Sequence, residues 1–364
     1  MRGSWQLGQI AGIRLQVHWT FLILIAWVVL QHASQGANAL QVAVGVALVL
    51  AVFGCVILHE LGHALTARRF GILTRDITLL PIGGVARLER MPDDPRQELL
   101  VAIAGPAVNV VIAAVLWAVL SATGTLPSLA DAARVGGSFL GTLLAVNVVL
   151  VGFNLLPAFP MDGGRVLRAL LALKLPYARA TRIAANAGTG MAVLFGFAGL
   201  MTANPFLLFI ALFVYLGAQS EAQQTETRVA LGGLSVRDAM MTRFTMLPDD
   251  ATLGDAAEEL LAGAQQDFPI TTGGRLRGLL SRSALVVHLR QRGREARVGE
   301  FASGGCQTAT EYEPLENAVA RMRETRCNSI PVLRDGLVVG LLTLENVSEL
   351  LLLAGAGRGS LRSG

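Results

Sequence analysis

The first half of the chain is a series of long apolar runs broken by short polar turns. Runs over Leu15–Gln31, Ala39–Ala67, Glu98–Ala122, Val135–Leu156, Ile183–Met201 and Pro205–Ala218 each predict a helix, and stretches this apolar read as membrane spans. Between the second and third runs the helical period fails. Residues 71–90 set β-branched and apolar residues around Gly83-Gly84, which predicts a membrane-associated β-hairpin. Its free edge would suit an extended peptide added as a further strand; an interfacial loop is the alternative. After Glu221 the pattern changes again. A polar linker over 223–234 leads into two similar units over 235–355, each reading as strand, helix, two strands and helix. The expected organisation is therefore a transmembrane domain over 1–222, the linker, an α+β pair of repeats, and a flexible tail over 356–364.

Composition agrees with the apolar pattern. Of 364 residues, 53% are hydrophobic and only 15% charged, too apolar for a soluble globular chain. Residues 15–67 carry a single charge, Glu60. The net charge of +4 reflects arginines at the ends of spans, and nucleic acid is not an expected partner. Arg and Lys gather in alternate loops: Arg2 and Arg14, then Arg68 to Arg90, then Arg165 to Arg182, with Arg134 the exception. That bias predicts six spans, with both termini cytoplasmic. The protein is thus expected to be integral to a membrane, by default a prokaryotic cell membrane. The first apolar run lacks a small-residue cleavage site and reads as an uncleaved span. The spacing of Cys55, Cys306 and Cys327 fits neither a zinc ribbon nor a disulfide framework.

Ionisable groups at membrane depth are costly and default to function. The segment C-V-I-L-H-E-L-G-H-A-L-T, residues 55–66, holds three polar side chains in an oily run. His59 and His63, four apart, stand on one helical face and can address one ion. Glu60, one step round, can reach a water on it. This is the H-E-x-x-H pattern of zinc hydrolases, with Glu as general base. A third ligand is needed. The segment N-L-L-P-A-F-P-M-D-G-G-R, residues 154–165, carries Asp162 after two prolines that bar a regular helix. Asp162 can complete a His-His-carboxylate zinc site, although Asp-Gly-Gly also suits a turn or helix cap. Asn154 can donate to a carbonyl or its oxyanion. Asn109, in A-G-P-A-V-N, can bond a neighbouring helix or support the site, and Ala104, Gly105 and Ala107 suit close helix packing.

These motifs, H-E-L-G-H (59–63), A-G-P-A-V-N (104–109) and N-L-L-P-A-F-P-M-D-G (154–163), with the region around Gly83-Gly84, resemble the site-2 protease family of intramembrane zinc metalloproteases, peptidase family M50. The resemblance covers roughly residues 10–220. It implies zinc held by His59, His63 and Asp162, Glu60 as catalytic base, and Asn154 as a group touching substrate or transition state. It also implies cleavage of a transmembrane helix of a single-span partner protein, in regulated intramembrane proteolysis. The repeats are similar to a tandem pair of cystathionine-β-synthase (CBS) domains, which implies an adenine nucleotide ligand, regulation of the attached domain, or homodimerisation. The ribose-binding pattern G-h-h-[S/T]-x-x-D ends here in Ala284 in one unit and Asn346 in the other, so both carboxylates are missing. A transporter with a CBS tail is the main rival reading, because ion paths also place ionisable residues in spans.

Overall fold

The computed structural model describes residues 3–81, 83–88, 92, 94–126, 138–301 and 307–359, with backbone alone for 354–359. It divides into two compact units, Met1–Thr225 and Glu226–Gly364.

The first unit opens with two strands, the second of which takes Leu15–His18 from the first expected span. β1 (Ser4–Ile10) and β2 (Ile13–His18) form a hairpin. Ala11 and Gly12 both take positive φ, 51° and 80°, as a two-residue hairpin turn requires. Along β2 the apolar Ile13, Leu15 and Val17 are buried while Arg14 is exposed, a period of two that separates Ile13–His18 from the helical run after it. The helix α1 (Thr20–Ser34) is correspondingly short.

α2 (Ala39–Arg69) begins at Asn38, whose side chain accepts from the Gln41 N–H while the Gln41 side chain accepts from the Asn38 N–H. That reciprocal cap fixes the start of a helix with no polar stripe to orient it. The expected hairpin follows as β3 (Thr74–Leu80) and β4 (Gly83–Leu88), paired antiparallel. Gly83 and Gly84 lie in the second strand and not in the turn. β2 pairs parallel with β3, so the hairpin is half of a four-stranded sheet ordered β1-β2-β3-β4. Leu61 and Ala64 of α2 bury against Ile13, Leu15 and Ile77 of that sheet, which leaves His59 and His63 for the other side of the helix.

α3 (Pro95–Ala122), α4 (Phe139–Asn154), α5 (Asp162–Ala172), α6 (Tyr177–Met201) and α7 (Pro205–Leu231) follow, and α7 runs past Thr225 into the second unit, so most of the expected linker over 223–234 is helical. Among the described residues, four helices are long and apolar enough to span a membrane: α2, α3, α6 and α7. α1 and α4, with 15 and 16 residues, would be roughly 23 Å long at 1.5 Å per residue, short of a ~30 Å hydrocarbon core. Length therefore supports an integral membrane protein but not, by itself, six spans. Arg134, the exception in the charge pattern, and the expected start of the fourth span at Val135 fall in residues 127–137, outside the described residues.

The second unit carries the two repeats. The first is α8 (Val236–Ala239), β5 (Leu247–Pro248), α9 (Leu253–Ala262), β6 (Asp267–Thr272), β7 (Arg275–Ser281) and α10 (Arg282–Arg292). The second is β8 (Ala309–Thr310), α11 (Leu315–Thr325), β9 (Ser329–Arg334), β10 (Leu337–Thr343) and α12 (Leu344–Gly359). Their six strands join in one sheet ordered β5-β6-β7-β10-β9-β8, so the halves mirror one another about β7 and β10. Each hairpin turns on two residues of positive φ, Gly273-Gly274 and Asp335-Gly336. The sheet carries two cores, one around Phe268, Ile270 and Leu285 of the first repeat and one around Ile330, Val332 and Leu315 of the second, and α8 buries Val236 and Ala239 in the latter. Cys327 is disulfide-bonded, a cross-link the cysteine spacing did not reveal. The expected tail over 356–364 is helical to Gly359, and its remainder lies outside the described residues.

Candidate metal centre

Three side chains from two helices meet in the first unit. His59 and His63 Nε2 are 3.1 Å apart, and each is 3.1 Å from Asp162 Oδ2. All three residues are buried. Asp162 sits in the first turn of α5, yet its carboxylate faces the imidazoles and does not act as the cap.

The surroundings fix what these three atoms offer. The Leu143 carbonyl can only accept, so it takes a hydrogen from Asn147 Nδ2 at 2.8 Å and leaves Asn147 Oδ1 as an acceptor. Asn109 Nδ2 donates to that oxygen at 3.2 Å, and Asn109 Oδ1 therefore accepts from His59 Nδ1 at 2.8 Å. His63 Nδ1 donates to the Val101 carbonyl at 2.7 Å. With both Nδ1 atoms carrying hydrogen, the neutral rings turn lone pairs inward, where they meet a carboxylate oxygen. Three facing acceptors demand a cation. Tetrahedral zinc with bonds of about 2.0–2.1 Å spaces its ligands roughly 3.3 Å apart, close to the 3.1 Å separations here. The donor set fits zinc, and the Nδ1 bonds supply the outer support that zinc-binding histidines generally have.

Glycines shape the walls. A Cβ at Gly105 would lie 2.1 Å from His63 Nε2 and 2.7 Å from His59 Nε2, so α3 can approach the imidazoles only without a side chain there. Gly62 is closed in the same way by the Ala104 carbonyl, 2.8 Å from its would-be Cβ. Residues 155–161 fold back over the start of α5. A Cβ at Gly163 would meet the Leu156 carbonyl at 2.2 Å, and one at Gly164 the Phe159 nitrogen at 2.6 Å. Asp-Gly-Gly is thus a steric requirement of this return and not a turn signal.

α5 is held from its middle. Arg168 is 1% exposed. It donates to Glu98 of α3 at 2.5 and 2.7 Å and to Glu221 of α7 at 2.5 Å, with its guanidinium 5.0 Å from the centre of the Phe159 ring. Paired on both sides and stacked, it ties three helices together.

Of the residues singled out in the sequence, the structure gathers His59, His63 and Asp162, with Glu60 next to them on α2. Gly84 of β4 lies against Glu60, its would-be Cβ 2.8 Å from Glu60 Cγ. Asn154 is the last residue of α4, half-buried, and among the described residues its side chain makes no hydrogen bond. Asn109 supports His59. Asn147, Val101 and Arg168 escape a reading of the sequence. Asn147 carried a signal, a lone amide in an apolar run, whereas the Val101 contribution is a backbone carbonyl that any residue type provides.

Comparison with known proteins decides the family. Residues 47–195 match the profile of Peptidase family M50, and residues 236–291 and 298–353 each match that of the CBS domain. The chain is 36% identical over 280 residues to zinc metalloprotease MJ0392 of Methanocaldococcus jannaschii, covering 77% of this chain and 78% of that one. It is 30% identical over 375 residues to the Mycobacterium tuberculosis protein Rip3, covering 96% and 93%. The chain belongs to peptidase family M50. It is an intramembrane zinc metalloprotease carrying two CBS domains, and the transporter reading falls away. Among solved structures, a site-2 protease from Methanocaldococcus jannaschii is 39% identical, covers 60% of this protease and 95% of its own chain, and superposes with a TM-score of 0.45.

Proposed function

We propose that His59, His63 and Asp162 hold the catalytic zinc and that Glu60 is the proton carrier of an intramembrane peptide-bond hydrolysis. The observation that supports it most is the convergence of three buried, inward-facing acceptors, each 3.1 Å from the others, from two helices. When bound, zinc polarises the scissile carbonyl and lowers the pKa of water toward neutrality. The chain's own residues do the rest. Glu60 takes a proton from the attacking water and delivers it to the leaving nitrogen. Asn109 and the Val101 carbonyl keep both imidazoles in the tautomer that presents Nε2. Asn154 stands at the mouth of the return loop, where it would touch substrate.

The substrate is proposed to be a single transmembrane helix of another protein. A helix hides its amides in internal hydrogen bonds, so it must unwind before cleavage. β4 is the edge strand of its sheet, with Gly84 packed on Glu60. An unwound segment added along that edge would run past the catalytic carboxylate. The arginine distribution supports six spans with cytoplasmic termini and cleavage near the cytoplasmic side; α1 and α4 would then cross as short helices in a locally thinned bilayer.

For the CBS pair we propose a regulatory role, with or without dimerisation. A cavity of about 360 Å³ lies among Asp267, Ser329, Thr343 and Asn346, large enough for a nucleoside. Asn346, where the ribose pattern has Asp, accepts from the Thr343 hydroxyl at 2.5 Å and offers no charge to a ribose.

The test is Glu60→Gln. Cleavage of a single-span substrate by purified protein in liposomes should be abolished, with zinc content by mass spectrometry unchanged. The inactive form should trap its substrate for identification. Undiminished cleavage by this variant would remove Glu60 from the mechanism.

A further inference from the structure

α5 carries two arginines three residues apart, and they are treated in opposite ways. Arg168 has every side of its guanidinium occupied: Glu98, Glu221 and the Phe159 and Tyr177 rings. Arg165 has nothing comparable. Its Nε is buried and without a hydrogen-bond partner, and among the described residues its side chain forms no hydrogen bond or ion pair. Arg165 as a whole is half-buried, but an unmade hydrogen bond from a buried guanidinium nitrogen is costly and calls for an explanation. Packing does not supply one, because the same helix shows how this fold satisfies an arginine.

Its position supplies one. Arg165 is three residues after Asp162, hence on the same face of α5. It lies within Coulombic range of Asp162, Glu60 and Glu98. Glu98 has a buried carboxylate oxygen to spare, Oε2, yet Arg165 makes no bond to it. A free guanidinium beside a metal ligand and the proton carrier is placed for an anion that the resting protein lacks. The reaction generates such an anion at this point. Water oxygen bonds to the carbonyl carbon, negative charge builds on the carbonyl oxygen, and the C–N bond breaks. Both water protons finish on the leaving nitrogen, and a carboxylate remains.

We propose that Arg165 is a catalytic residue of the protease, its guanidinium donating to the scissile carbonyl oxygen as that oxygen becomes negative and then holding the product carboxylate. This rests on the proposed assignment of Glu60 and the zinc ligands. It gives the site a charged oxyanion donor that Asn154, half-buried at the end of α4, would supply only as a neutral amide. Arg suits the task because a carboxylate can meet its fork with two parallel bonds.

The test combines turnover with binding that needs no turnover. Full-length Arg165→Gln and Arg165→Lys are compared with the parent in liposomes. Zinc content and melting temperature are measured first. For Arg165→Gln, kcat should fall about 10²- to 10³-fold while KM moves by less than about tenfold, the pattern of a lost transition-state donor. Arg165→Lys, which keeps the charge, should lose less. Two short peptides matching the N-terminal cleavage product, one ending in a carboxylate and one in a carboxamide, are then titrated. The parent should bind the acid at least about tenfold more tightly, Glu60→Gln should keep that preference, and Arg165→Gln should bind both alike. A preference surviving in Arg165→Gln overturns the proposal, as does an undiminished kcat. Loss of zinc from both variants also overturns it, because Arg165 would then be a support for Asp162. Failure of the underlying assignment reads out separately, as cleavage by Glu60→Gln.

Discussion

Gly105 shows how little room the proposed metal centre leaves. Its would-be Cβ overlaps both Nε2 atoms, so Gly105→Ala should push the imidazoles off their common point while leaving α3 a better helix than before. The expected outcome is zinc loss, read by mass spectrometry of the purified variant, with helical content by circular dichroism unchanged. A variant that keeps its zinc would mean α3 can slide away from α2. The amide relay makes a second, graded prediction. Asn147→Leu leaves Asn109 free to rotate, so His59 loses its fixed tautomer. Zinc affinity should drop by about 10- to 100-fold, the range for lost outer partners of metal-binding histidines, measured by competition with a chelator of known affinity. His63, anchored independently on a backbone carbonyl, should limit the loss to that range.

α5 is the element on which the proposed centre turns, because it delivers Asp162 in its first turn and Arg168 nearly two turns on. Removing one member of a buried charge cluster leaves its partners unpaired, typically at a cost of about 3–5 kcal/mol. Arg168→Met should therefore lower the melting temperature of the first unit and, by freeing α5, its zinc content as well. Replacing Glu221 should have a smaller effect, because Glu98 takes two of the three bonds. The same helix marks what could be read from the chain. His59, Glu60, His63 and Asp162 stand out because charge in an apolar run has few innocent explanations. Arg168 did not stand out, since an arginine near a span end is ordinary until it is found 1% exposed. The N-terminal strands were hidden for a related reason. Ile13–His18 runs without a break into Thr20–Ser34, and only the alternation I-R-L-Q-V-H separates a strand from the helix after it. Gly83-Gly84 misled in detail. It announced a hairpin correctly but serves as the strand's contact with Glu60, where close approach and not turning selects glycine.

In the chain taken together, two units carry two kinds of stability, and acid and chelator should separate them. All three proposed zinc ligands lie in Met1–Thr225. A ligand that binds only the folded form stabilises by RT ln(1 + [L]/Kd), so a chelator should lower the melting of the first unit and leave the second where it was. The second unit has its own pH response. Asp238 and Asp255 are held below the usual carboxylate range, chiefly by the backbone N–H groups of Ser235 and Thr252 and then by the hydroxyls of those residues. A carboxylate whose value is depressed on folding stabilises fully above its unfolded value, about 3.9. That stabilisation is lost as pH falls through the lower folded value. The CBS pair should consequently keep constant stability from neutrality down to about pH 5 and lose it only in stronger acid. Asp255→Asn together with Asp238→Asn should flatten that acid limb. Both carboxylates are solvent-exposed, so the change belongs in the slope of a melting-temperature profile against pH and not in a large drop at neutrality. An acid limb unchanged in the double variant would assign it to other carboxylates. Buried Glu311, bonded to Arg334 by both oxygens at 2.6 and 2.7 Å, would be the next to replace.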